Sequence, residues 1–136
     1  MLIDSHAHLN FQAFVADLEK VIKRCQDRGM KVINVGSQLQ TSRRAIEIAE
    51  NFDGFFAAVA VHPIHIGESQ HDPIEATAQQ EISPLGVESE FAELKKLLPN
   101  EKIVAIGETG LDYFYLDATP TPSVATRHLP LGQRER

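Results

Sequence analysis

Short apolar runs alternate with stretches of helical spacing along most of this chain, and that alternation confines it to a parallel α/β fold. Met1–Asp4 is short and apolar. Phe14, Leu18, Val21, Ile22 and Cys25 then recur at helical spacing, and Gly29 follows as a natural stop. Lys31–Val35 reads as a buried strand. Ala45, Ile48, Ala49 and Phe52 form a second stripe, with Ser37 or Thr41 placed to cap its start. Phe55–Val61 is a continuous apolar run, the mark of a strand covered on both faces. The polar segment from Gly67 to Pro84 reads as a loop with at most a short helix. Val87, Phe91, Leu94 and Leu98 make a third stripe, and Ile103–Ile106 a fourth strand. The order βαβαβαβ predicts parallel strands joined by right-handed crossovers. A doubly wound open sheet and part of a (β/α)8 barrel both satisfy it. No glycine-rich phosphate loop follows the first strand, which counts against a dinucleotide-binding fold.

Composition narrows the setting. With 136 residues, 43% hydrophobic and 24% charged, the chain has the balance of one soluble globular domain. No run approaches the roughly 18 apolar residues of a membrane span, so no membrane partner is expected. Met1-Leu2-Ile3-Asp4 lacks a basic segment followed by an apolar one, so no secretory signal is read. Cys25 is the only cysteine, which suits a reducing compartment and gives a cytoplasmic expectation. The net charge of −6 argues against a protein held to nucleic acid by its own Lys and Arg. If nucleic acid is the partner, bound cations or another part of the protein must supply the attraction.

Three segments carry chemistry. In Asp4-Ser5-His6-Ala7-His8, side chains two apart on an extended chain share a face. His6 and His8 would then offer two imidazoles to a transition metal at the end of the first strand. An isolated His-x-His is equally well explained as two unrelated polar residues leaving a strand. In Gly107-Glu108-Thr109-Gly110-Leu111-Asp112, Glu108 sits past the end of the fourth strand. A carboxylate there can bridge two cations about 4 Å apart, the spacing that clamps a phosphodiester. Read alone, it serves as well as a solvated acid in a glycine turn. Asp112 suits an outer-shell role toward a ligand histidine, or simply a turn. In Val61-His62-Pro63, His62 ends the third strand and faces the same mouth. His65, His71 and His128 are assigned no role, and Cys25 falls on a core stripe. What joins these segments is place. His6 and His8, His62 and Glu108 follow three separate strands at their C-terminal ends, where parallel folds gather their function.

The combination resembles the TatD family of metal-dependent deoxyribonucleases, within the amidohydrolase-like barrels. The resemblance runs from Met1 to about Tyr115. It rests on Ile3-Asp4-Ser5-His6-Ala7-His8-Leu9, Ile33-Asn34-Val35-Gly36, Ser42-Arg43-Arg44-Ala45, Val61-His62-Pro63 and Ile106-Gly107-Glu108-Thr109-Gly110-Leu111-Asp112-Tyr113, in order. It implies a TIM-like (β/α) barrel with two divalent cations (Mg, Mn or Zn) at its mouth. By the same resemblance His6 and His8 hold one metal and Glu108 bridges both. His62 lies near the substrate phosphate, and Asp112 supports the site. The implied catalytic set is Glu108, His62 and Asp112, and the implied reaction is exonucleolytic hydrolysis of DNA.

A complete barrel of this kind needs about 250 residues. Residues 1–116 therefore read as the N-terminal half of a barrel with about four parallel strands. Residues 117–136, where the resemblance dissolves as after a frameshift or early stop, read as a non-homologous disordered tail. Such a half-barrel is expected to be marginal or to self-associate through its exposed edges, with nuclease activity much reduced or absent. Two other readings stay open: an inactive module that binds metal or a partner, and another His-x-His amidohydrolase or phosphoesterase.

Overall fold

The computed structural model describes residues 1–63 and 86–110. The polar segment from Gly67 to Pro84, Asp112 and the tail from 117 lie outside the described residues. Strand β1 (Leu2–Ala7) leads through a 3-10 turn (Gln12–Phe14) into helix α1 (Leu18–Asp27). Then come β2 (Met30–Val35), α2 (Leu39–Asn51), β3 (Phe55–Val59), α3 (Val87–Leu97) and β4 (Ile103–Ile106). All strand pairs are parallel, in the order β1-β2-β3-β4.

That order separates the two architectures left open by pattern. A doubly wound sheet reverses direction part-way along its strand order. Here each crossover steps one strand further the same way, and right-handed connections then place every helix on one face. This is the arrangement of a barrel wall, and the four strands of the described residues make half of an eight-stranded one.

The core lies between the sheet and its helices. Ile22 of α1, Ala45, Ile48 and Ala49 of α2, Leu94 of α3, and Val32, Phe55, Ala57 and Val59 of the strands form one buried cluster. The central strand β3 is buried at Phe55, Ala57, Ala58 and Val59, as its continuous apolar run requires. Among the described residues the sheet ends on β1, where Leu2 and Ile3 are 57% and 51% exposed, and on β4, where Val104 and Ile106 are 50% and 69% exposed.

The ends of the first two helices follow from local chemistry. Gly29 stops α1 at φ +61°, which a glycine adopts without a Cβ penalty. Of the two residues placed to cap α2, Thr41 is the one used. Its Oγ accepts the backbone N–H of Ser37 at 2.9 Å and of Gln38 at 3.0 Å. The capping position itself is Gln38.

Three elements differ from their sequence patterns. Strand β1 runs on to Ala7 rather than ending at Asp4. Phe14 belongs to the 3-10 turn and not to α1. Helix α3 is rotated from its expected stripe: Glu90 and Leu94 are buried and Leu97 packs on the core, while Phe91 and Leu98 are exposed. The cause is a hydrogen bond. Glu90 Oε1 accepts the Leu39 backbone N–H at 2.6 Å, at the first residue of α2. Helix α2 has no acid in its own first turn, so α3 supplies the negative end from outside. Glu90→Ala is expected to lower stability by about 2 kcal/mol, the cost of a buried charge-assisted bond and an orphaned N–H. Urea denaturation checks this, with Glu90→Gln losing clearly less; equal midpoints for Glu90→Ala and the parent would refute it.

Candidate metal centre

The local folding of β1 aims the first two site residues. Between Asp4 and Ala7, which pair with Val32 and Asn34, β1 carries one residue more than β2. Such a bulge re-aims side chains at a strand end. Asp4 Oδ1 steadies it by accepting the His6 backbone N–H at 3.1 Å. His6 lies in the bulged part of the strand and His8 just past its end. Their Nε2 atoms face one another at 3.1 Å.

His8 is held from both sides. Its ring stacks on Phe11 with centroids 4.3 Å apart. Its Nδ1 lies 2.9 Å from the carbonyl oxygen of Val35, at the end of β2. A carbonyl only accepts, so Nδ1 carries a proton, and in the neutral ring the lone pair is then at Nε2. This is the tautomer a metal ligand needs, fixed by a backbone acceptor in the manner of metal-binding histidines.

Glu108 arrives from the other edge of the sheet. The residue before it, Gly107, continues the ladder by donating its N–H to Val59 O at 3.1 Å. Glu108 Oε2 lies 3.0 Å from His6 Nε2, and Oε1 lies 3.1 Å from His62 Nε2. His62 follows β3, and its backbone N–H donates to Ser37 O at 2.6 Å, which joins the loops after β2 and β3.

His6, His8 and Glu108 thus offer one ligand atom each, all within 4.8 Å of one another. Two neutral imidazoles and one carboxylate suit Zn²⁺ or Mn²⁺, with Mg²⁺ favouring a set richer in oxygen. The donor set fits a divalent cation. When bound, such an ion supplies Lewis acidity toward a phosphoryl or carbonyl group and acidifies a water molecule. His62 sits on the far oxygen of the same carboxylate, so it fixes the carboxylate plane. The structure therefore brings together His6, His8, His62 and Glu108 at the C-terminal ends of three strands. Asp112 lies outside the described residues, as do His65 and His71.

Sequence reasoning missed two residues beneath the cluster. Asn10 and Asn34 are fully buried. Asn34 Oδ1 accepts the Leu9 N–H at 3.1 Å, and Asn10 Nδ2 donates to Val35 O and Thr41 O, both at 3.0 Å. The signal available was Asn34 itself, a polar residue inside an apolar strand.

A barrel wall with a His-His-Glu cluster at the mouth defines the class of metal-dependent barrel hydrolases. The chain belongs to the TatD family: the family model described as TatD related DNase matches residues 3–128. Among its relatives, the metal-dependent hydrolase YabD of Bacillus subtilis is 38% identical over 88% of this chain and 40% of its own length. The metal-dependent hydrolase TatD of Mycobacterium tuberculosis is 29% identical over 98% of this chain and 48% of its own. The crystal structure of YJJV, a TatD homolog from Escherichia coli K12, superposes with a TM-score of 0.61 at 27% identity, covering 83% of this chain and 38% of that one. The chain therefore spans less than half the length of these relatives. Among the described residues no helix is long and apolar enough to cross a membrane.

Proposed function

We propose that this chain carries the metal-binding half of a hydrolase that cleaves DNA phosphodiester bonds, acting as an exonuclease. The observation that supports this most is the convergence of one ligand atom each from His6, His8 and Glu108 within 4.8 Å. In this reading His6, His8 and Glu108 hold a divalent cation, and Glu108 leaves its second oxygen, now on His62, for a further one. His62 stands beside the scissile phosphate. Asp112 orients the site from the outer shell. The cation offsets the chain's net charge of −6, which would otherwise repel a polyanion. Free Cys25 fits a reducing, cytoplasmic setting.

The test is a titration with Mn²⁺ and Zn²⁺ by calorimetry, followed by labelled single-stranded DNA. Saturable binding with slow, metal-dependent release of nucleotides is the expected result. Hydrolysis of a cyclic amide or a phosphomonoester, with DNA untouched, would assign the site to another His-x-His class. Binding with no hydrolysis of any of them would leave a metal-binding module.

A second reading concerns assembly. The exposed Leu2, Ile3, Val104 and Ile106 sit on the two strands that end the sheet. Unpaired strand edges carrying apolar side chains template further pairing. We propose that a second copy of this chain covers them, β4 of one against β1 of the other. Sedimentation is expected to show a dimer, and a well-dispersed monomer at high concentration would refute it.

A further inference from the structure

Residues 8, 9 and 10 are tied one after another to the end of β2. His8 Nδ1–H donates to Val35 O at 2.9 Å. The Leu9 N–H donates to Asn34 Oδ1 at 3.1 Å. Asn10 Nδ2 donates one hydrogen to Val35 O at 3.0 Å and the other to Thr41 O at 3.0 Å. The Val35 carbonyl thus serves His8 and Asn10 together, one on each lone pair. Through Thr41 the same amide also fastens this carbonyl to the first turn of α2.

We propose that Asn10, supported by Asn34, is a positioning residue that sets the tautomer and direction of His8. It does so by docking the segment after β1 so that, of the two His8 ring nitrogens, Nδ1 is the one that meets Val35 O. The neutral imidazole then presents its Nε2 lone pair toward the cluster, where Nε2 faces His6 Nε2 at 3.1 Å. The link to metal affinity rests on the function proposed above; the link to the tautomer does not.

The unpaired atoms of the two asparagines support this. Asn10 Oδ1 and Asn34 Nδ2 are buried with no hydrogen-bond partner among the described residues. Each such atom lowers stability, and an apolar side chain of similar shape would not incur that loss. Packing alone therefore does not account for an amide at either position. Its account lies in what the paired half of each amide holds: the peptide after His8, and the oxygen His8 donates to.

Asn10→Leu tests this, because leucine keeps the volume and removes both donors. Ile22→Ala is the control: it loosens the core at a residue that is 1% exposed and takes no part in this network. The tautomer is read from the 15N shifts of the His8 ring in the metal-free protein. The parent is expected to show Nδ1 protonated and Nε2 bare. Asn10→Leu is expected to show the other tautomer substantially populated. Its affinity for Zn²⁺ alone should fall roughly 10- to 100-fold, the range for outer-shell partners of metal ligands. Ile22→Ala should move neither readout, although its melting temperature falls too. If Asn10→Leu does not fold, Asn10→Ser, which keeps a single donor, takes its place with a smaller change in the same direction. The proposal is overturned if the asparagine variant matches the control in both tautomer and affinity. A parent protein that binds no Zn²⁺ would refute the proposed function instead, and the ring shifts would still decide the role of Asn10.

Discussion

Glu108→Ala is expected to abolish saturable binding of Mn²⁺ and Zn²⁺, weakening it by at least about 100-fold, beyond the loss typical of an outer-shell partner. The reason is charge as much as geometry. His6 and His8 contribute neutral donors, so Glu108 is the only anion in the cluster. Two imidazoles alone leave a dication's charge uncompensated, without the Coulomb attraction that a carboxylate in contact supplies. Glu108 also touches one ring with each oxygen: 3.0 Å to His6 and 3.1 Å to His62. Removing it takes away a contact from each of the two rings. The side chain is 34% exposed and lies beyond the strand, so the fold should survive. Calorimetric titration, with circular dichroism to confirm folding, measures this. Affinity within a few-fold of the parent would remove Glu108 from the centre and with it the metal reading.

Much of this centre was legible in the sequence because strand ends are legible. An apolar run that stops at a polar residue marks the C-terminal end of a parallel strand, and His62 and Glu108 both stand at such stops. His6 and His8 were found by the two-residue period, although a bulge, and not a plain strand end, is what turns them inward. The barrel was not legible from pattern, since both parallel architectures share it; the strand order decides. What stayed hidden depends on partners far apart in the chain. Glu90 looks like a solvated residue on α3 until Leu39 N–H, 51 positions away, draws it inside and turns Phe91 out. Asn10 belongs to no pattern, and its partners Val35 and Thr41 lie 25 and 31 positions away. Periodicity reports which face is apolar, but it carries no information about a single polar residue whose acceptor lies on another element.

Gly36→Ala is expected to cost about 3 kcal/mol or more, at the upper end for overpacking a buried site, and to lower the melting temperature by roughly 10 °C. Gly36 belongs to the Ile33-Asn34-Val35-Gly36 segment that carried part of the family resemblance, and close approach, not unusual backbone geometry, is what it supplies. A Cβ there would fall 2.2 Å from Ser42 Oγ, 2.6 Å from Ser42 Cα and 2.7 Å from Ser42 N. Rotating the serine relieves only the first of these. The other two are backbone atoms in α2, so the helix must leave the sheet or the methyl cannot enter. The damage then reaches the site. Thr41, adjacent to Ser42, caps α2 through Ser37 and Gln38 and receives the Asn10 amide. Ser37 O holds the His62 backbone, and Val35 O holds His8. A shift of α2 therefore loosens two of the cluster's histidines at once, without touching either ring. Thermal denaturation and metal titration of Gly36→Ala should fall together, whereas Glu108→Ala loses binding with its stability intact. If Gly36→Ala melts within about 2 °C of the parent, the packing of α2 on the end of β2 is not as tight as these distances require.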